Sequence, residues 1–115
     1  MSGRPLALVV EDADDQVALL RRHLDRAGFD VFAVADAESA ISAFAEIEPV
    51  LAVIDLLLPG ISGQECARLV QERFPGCFLV ISSVLDAADY PPADAALPKP
   101  ITGADLRAIL DRMPR

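Results

Sequence analysis

The stretch Leu6-Ala7-Leu8-Val9-Val10-Glu11-Asp12 decides the fold: five apolar residues in succession, broken abruptly by two acids. An unbroken apolar run, in place of an alternating one, reads as a strand buried on both faces, as in a parallel sheet covered by helices. From Asp14 onward the period changes. Val17, Leu20 and Leu24 recur at helical spacing among Arg21, Arg22, Asp25 and Arg26, and Gly28 follows as the residue that ends an amphipathic helix.

Working outward, the same unit repeats. Asp30 to Val34 is a second short strand-like run, after which Asp36 caps a helix carrying Ile41, Phe44, Ala45 and Ile47, stopped before Pro49. Val50 to Ile54 is a third apolar run, closed by Asp55 and followed by a turn at Pro59-Gly60. Ser62 and Glu65 have capping-box spacing, and Cys66, Leu69, Val70 and Phe74 mark one side of the next helix. Cys77 to Ile81 is a fourth run ending in Ser82-Ser83. The stretch Val84 to Ala96 contains Tyr90-Pro91-Pro92 and no helical stripe, with one turn expected at Leu85 to Ala88. Ala95 to Pro98 reads as a short fifth strand, and Thr102 caps a last helix bearing Leu106, Ile109, Leu110 and Met113. Strands alternating with helices predict an α/β fold: a doubly wound parallel sheet with helices on both faces.

Composition agrees. A chain of 115 residues suits one domain spanning 1–115, and 53% hydrophobic with 24% charged residues excludes disordered and low-complexity classes. A net charge of −8 has the wrong sign for a phosphate-backbone binder, so no direct nucleic acid contact is expected. Leu6 to Val10 is too short for a signal segment or a membrane span. Cys66 and Cys77 lack metal-site spacing and read as buried thiols in a reducing cytoplasm; His23, in a charged helical stretch, reads as solvated and without a role.

In such a sheet every strand's C-terminal end lies on one edge, where ligands bind. That edge collects Glu11, Asp12, Asp55, Ser82, Ser83 and Lys99. Each acid alone serves equally as a turn or cap residue, but together they form an anionic pocket with one cationic wall. Three carboxylates without His or Cys suit Mg²⁺, with Mn²⁺ also possible, and a phosphate oxygen completes such a shell. Lys99 and Ser82 then serve phosphoryl oxygens, and Asp55, alone at a central strand end, is the candidate nucleophile.

The acidic pair Glu11-Asp12, the Asp55-x-x-x-Pro59-Gly60 turn with Gly63 behind it, Ser82 and the Lys99-Pro100 dipeptide occur together in this order. On these residues the chain resembles the receiver domain of two-component response regulators from Arg4 to Met113. The resemblance implies a flavodoxin-like (βα)₅ fold with strand order 2-1-3-4-5 and phosphorylation of Asp55 by a histidine kinase or phosphotransfer protein. It implies a metal held by Asp12, Asp55 and the Leu57 backbone carbonyl, with Glu11 acting through water. It also implies a cis Lys99-Pro100 bond.

Several departures qualify it. The first acid is Glu11, where the family more often has Asp. The aromatic expected three residues before the lysine is Ala96, and the segment between Ser82 and Lys99 is short, so the fourth helix is expected to be shortened or irregular. Leu57 and Val84 stand where the family tunes phosphoryl lifetime, and neither can orient a water. The expected function is a phosphoacceptor signalling module, not an enzyme, with no output domain in this chain and with a downstream protein target reached by protein contact; a homodimer is possible. The alternative is a degenerate receiver that binds partners without phosphorylation. A true phosphatase is disfavoured because no second acid stands two positions after Asp55.

Overall fold

A computed structural model describes residues 3–85 and 87–114. In chain order these give β1 (Leu6–Val10), α1 (Asp14–Arg26), β2 (Asp30–Val34), α2 (Ala37–Ala43), β3 (Leu51–Asp55), α3 (Gly63–Arg73), β4 (Phe78–Ser83), β5 (Ala95–Pro98) and α4 (Gly103–Leu110). Single 3-10 turns follow α2 at Phe44–Glu46 and β4 at Ala87–Asp89. The strands form one parallel sheet in the order β2-β1-β3-β4-β5, as expected.

Strand side chains alternate, and the alternation divides the core into two layers. Ala7, Val9, Leu51, Val53, Val80 and Leu97 face α1 and α4, packing on Leu20, Leu24, Leu106 and Ile109. Leu8, Val10, Ala52, Ile54, Leu79 and Ile81 face α2 and α3, packing on Ala37, Ala40, Cys66, Ala67 and Val70. Burial on both faces is what makes each strand read as a continuous apolar run. Each large aliphatic side chain sealed there contributes about 2 kcal/mol through transfer from water.

The helix ends follow sequence chemistry. Asp36 accepts the Ser39 N–H at 2.7 Å, Ser62 accepts that of Glu65 at 3.1 Å, and Thr102 accepts that of Asp105 at 3.1 Å. Gly28, at φ +98°, turns the chain out of α1. The Lys99-Pro100 bond is cis.

Several expectations are corrected. The capping box is half made, because the Glu65 carboxylate pairs with Arg68. Helix α2 stops at Ala43 and Ala45 is exposed, since the chain tightens to 3-10 geometry to reach Pro49. Val50 precedes β3 and is exposed, whereas β4 runs on through both serines. The fourth crossover carries only the Ala87–Asp89 turn; the turn expected at 85–88 overlaps it, with Asp86 outside the described residues. Cys66 is buried but Cys77, beyond the end of α3, is half-buried; both thiols are free. His23 is half-buried, its imidazole coming within 2.6 Å of where a Cβ on Gly103 would sit, because α1 and α4 share one face of the sheet.

Candidate functional site

The sheet register builds the site. Asp55 and Ser82 are direct register partners at the ends of β3 and β4, and Glu11 follows Val10, the partner of Ile54. Counting in twos along each strand, Glu11, Asp55, Ser82 and Lys99 share the side of the sheet that α1 and α4 cover. Residues far apart in sequence therefore converge without any long loop having to place them.

Asp55 and Glu11 are only 4% and 3% exposed. The Lys99 Nζ donates to Asp55 Oδ2 at 3.0 Å and lies 2.5 Å from Glu11 Oε1, so one ammonium bridges both buried carboxylates. The remaining oxygens are also engaged: Asp55 Oδ1 accepts the Leu57 N–H at 3.0 Å and Glu11 Oε2 accepts the Ala13 N–H at 3.1 Å. The turn-forming role open to single acids is thus real for Glu11 and Asp55. It does not extend to Asp12, which is exposed, while α1 has Ala13 at its N-cap and so no side-chain cap.

Burial pushes the Glu11 carboxyl above its ordinary range, outweighing the lowering effect of Lys99 and Ala13. Burial pulls the Lys99 ammonium down, but Glu11 and Asp55 together hold it above its ordinary value. The pocket holds more negative charge than its single cation offsets, and both groups grip their protons. Glu11, Asp12 and Asp55 each offer a carboxylate oxygen, and the three atoms lie within 4.8 Å of one another. An all-oxygen, anionic donor set of that span fits a hard divalent cation such as Mg²⁺.

Ser82 is buried and its hydroxyl has no hydrogen-bond partner among the described residues. An unsatisfied buried hydroxyl beside a carboxylate is a donor held ready for an incoming acceptor. Ser83 sits one step on, facing the other layer, and its Oγ accepts the Leu85 N–H at 3.2 Å. Leu57 and Val84 flank the pocket with side chains 51% and 69% exposed. A cleft of about 730 Å³ at the opposite end of the strands, lined by Pro5, Phe29, Cys77, Phe78, Leu110 and Met113, shares no residue with the acids.

Two supporting residues escape a reading by composition alone. A Cβ on Gly63 would run into the Asp55 carbonyl and the Leu56 Cα, so glycine is what lets α3 start against the end of β3. Tyr90 donates its hydroxyl to the Ser83 carbonyl at 2.8 Å; the only sequence signal was a lone tyrosine before Pro91-Pro92.

Comparison with known proteins gives a consistent picture. The sequence profile of the response regulator receiver domain family matches residues 7–111. The transcriptional regulatory protein CseB of Streptomyces coelicolor is 31% identical over 97% of this chain, and the chain spans about half, 52%, of CseB's length. Among solved structures, a response regulator receiver domain from Methylobacillus flagellatus superposes with a TM-score of 0.85 at 26% identity, covering 97% of this chain and 100% of that one. The response regulator TrrA of Thermotoga maritima, solved in complex with Mg²⁺ and BeF, gives a TM-score of 0.85 at 22% identity, covering 96% of this chain and 99% of that one.

Proposed function

The chain belongs to the response regulator receiver domain family, a signalling module and not an enzyme, and on that premise we propose that it accepts a phosphoryl group on Asp55. The carrying observation is the pocket itself: three carboxylate oxygens within 4.8 Å of one another, with Lys99 bonded to Asp55 and a donor-ready Ser82 opposite. Glu11, Asp12, Asp55 and the Leu57 carbonyl are the residues we assign to holding Mg²⁺ or Mn²⁺, which supplies positive charge against phosphoryl oxygens when bound.

An Asp55 carboxylate oxygen attacks the phosphorus of a phosphohistidine on a kinase or phosphotransfer protein. The P–O bond forms as the P–N bond breaks, the electron pair leaves on the imidazole nitrogen, and that nitrogen regains a proton. Lys99 turns its ammonium to one phosphoryl oxygen and the Ser82 hydroxyl donates to another, so charge developing in the transition state meets donors already in place. Output passes to a protein target, in the cytoplasm where histidine kinases present their phosphoryl groups; among the described residues no helix is long and apolar enough to cross a membrane.

Incubation with Mg²⁺ and acetyl phosphate tests this. The expected result is a mass increase of one phosphoryl group that is absent in Asp55→Asn. A second reading, binding without phosphorylation, draws on Ala96, exposed on β5 where an aromatic was expected. Absence of the adduct in the wild type would favour that reading.

A further inference from the structure

The Ser83 carbonyl receives two hydrogen bonds of different origin. The Lys99 N–H donates to it at 3.0 Å, continuing the ladder past β5, and the Tyr90 hydroxyl donates to it at 2.8 Å. One residue back along the same strand is Ser82, opposite Asp55, its buried hydroxyl without a partner among the described residues. A single peptide carbonyl therefore holds the backbone of Lys99, lies one residue beyond Ser82, and also accepts from a tyrosine on the other layer of the core. Tyr90 is half-buried against the cluster under α2 and α3, and it comes from the fourth crossover. Ala96 faces that same side of the sheet from β5.

Resting on the phosphoacceptor reading, we propose that Tyr90 is the residue that carries the state of Asp55 to the surface. A phosphoryl group on Asp55 draws the Ser82 hydroxyl and the Lys99 ammonium toward its oxygens. The end of β4 shifts with them, and the Ser83 carbonyl moves as part of it. Tyr90 does not follow freely, because its ring is packed on the core and Pro91 and Pro92 fix the backbone that follows. A hydrogen bond weakens steeply with small changes in distance and angle, so a sub-ångström shift of the carbonyl suffices to release the hydroxyl. The segment Tyr90-Pro91-Pro92 is then loosened only in the loaded form. Linkage makes the effect reciprocal: if loading weakens the Tyr90 bond, removing that bond must favour loading by the same factor.

The chain contains one tyrosine and no tryptophan, so tyrosine emission reports Tyr90 alone. The experiment titrates the full chain with beryllofluoride in the presence of Mg²⁺, following bound fluoride by ¹⁹F NMR and Tyr90 by its emission. We expect the emission to change with the same midpoint as the bound-fluoride signal and to stay flat in Asp55→Asn. Tyr90→Phe, checked for native fold by circular dichroism, is expected to bind beryllofluoride about fivefold more tightly, the factor corresponding to one net hydrogen bond present only in the free form. A tyrosine that merely pins the loop would leave that affinity unmoved. Full fluoride loading with unchanged emission, or unchanged affinity in Tyr90→Phe, overturns the inference. Failure of the wild type to load at all overturns the phosphoacceptor reading and this inference with it.

Discussion

Lys99 holds together two carboxylates that would otherwise repel each other in a nearly dry pocket. Removing it as Lys99→Ala leaves two buried charges without a counterion and is expected to cost about 2 kcal/mol, less than for a fully sealed pair because the pocket mouth admits water. Urea denaturation with and without Mg²⁺ checks this; added Mg²⁺ should recover part of the loss, and equal stability of variant and wild type would contradict the bridge. Ser82→Ala makes the opposite case. Its hydroxyl has no partner to lose among the described residues, so stability without ligand should be unchanged or higher by up to about 1 kcal/mol. The same variant should bind beryllofluoride at least about tenfold more weakly, since a hydrogen bond to a charged acceptor is gone. Leu57 and Val84 offer no group to orient an attacking water, so the Asp55 phosphate should persist for minutes or longer with Mg²⁺ present, and a lifetime of seconds would refute this. The identities of these residues were legible in the sequence because apolar runs ended in them. Their partners were not: Lys99 lies 44 positions from Asp55, and nothing in local pattern says that its ammonium bridges two acids.

At the level of elements, the start of α3 is the most constrained junction. Gly63→Ala places a methyl carbon against the Asp55 carbonyl and the Leu56 backbone, neither of which can rotate away. We expect a loss of about 2–3 kcal/mol by thermal or chemical denaturation, with weakened Mg²⁺ binding because Asp55 must shift to make room. Ser62→Ala, which removes only the cap of the same helix, should cost about 1 kcal/mol and leave metal binding intact. Strands β1, β2 and β5 were legible to the residue, because their apolar runs are bounded by charge or proline. The fourth crossover was legible only as an absence of helical stripe, since a single 3-10 turn leaves no periodicity to detect. The contact of His23 with the start of α4 was invisible for another reason: it depends on two helices far apart in sequence sharing one face.

For the molecule as a whole, a cation bound only by the folded form stabilises that form. Mg²⁺ at ten times its dissociation constant should add about 1.4 kcal/mol and raise the melting temperature by several degrees, an effect that Asp12→Asn should abolish. The two thiols test the closed core. Burial pushes Cys66 up to about 11 and Cys77 to about 12, so at pH 8 about one thiol in a thousand or fewer is ionised. Labelling by a thiol reagent should be slow in the native protein and fast in denaturant. Because the folded state keeps thiol protons that the unfolded chain releases above about pH 8.5, stability should fall as pH rises from there toward 11. The alternation that sends Glu11, Asp55 and Ser82 to one side also works like a reading frame. Inserting one residue inside β1, β3 or β4 would rotate the terminal functional group into the opposite layer, whereas trimming a crossover leaves every frame intact. The crossover from β4 to β5 illustrates this: it carries a single 3-10 turn in place of a helix, yet β5 still pairs in parallel with β4 and delivers Lys99 to the same edge in phase with Asp55 and Ser82.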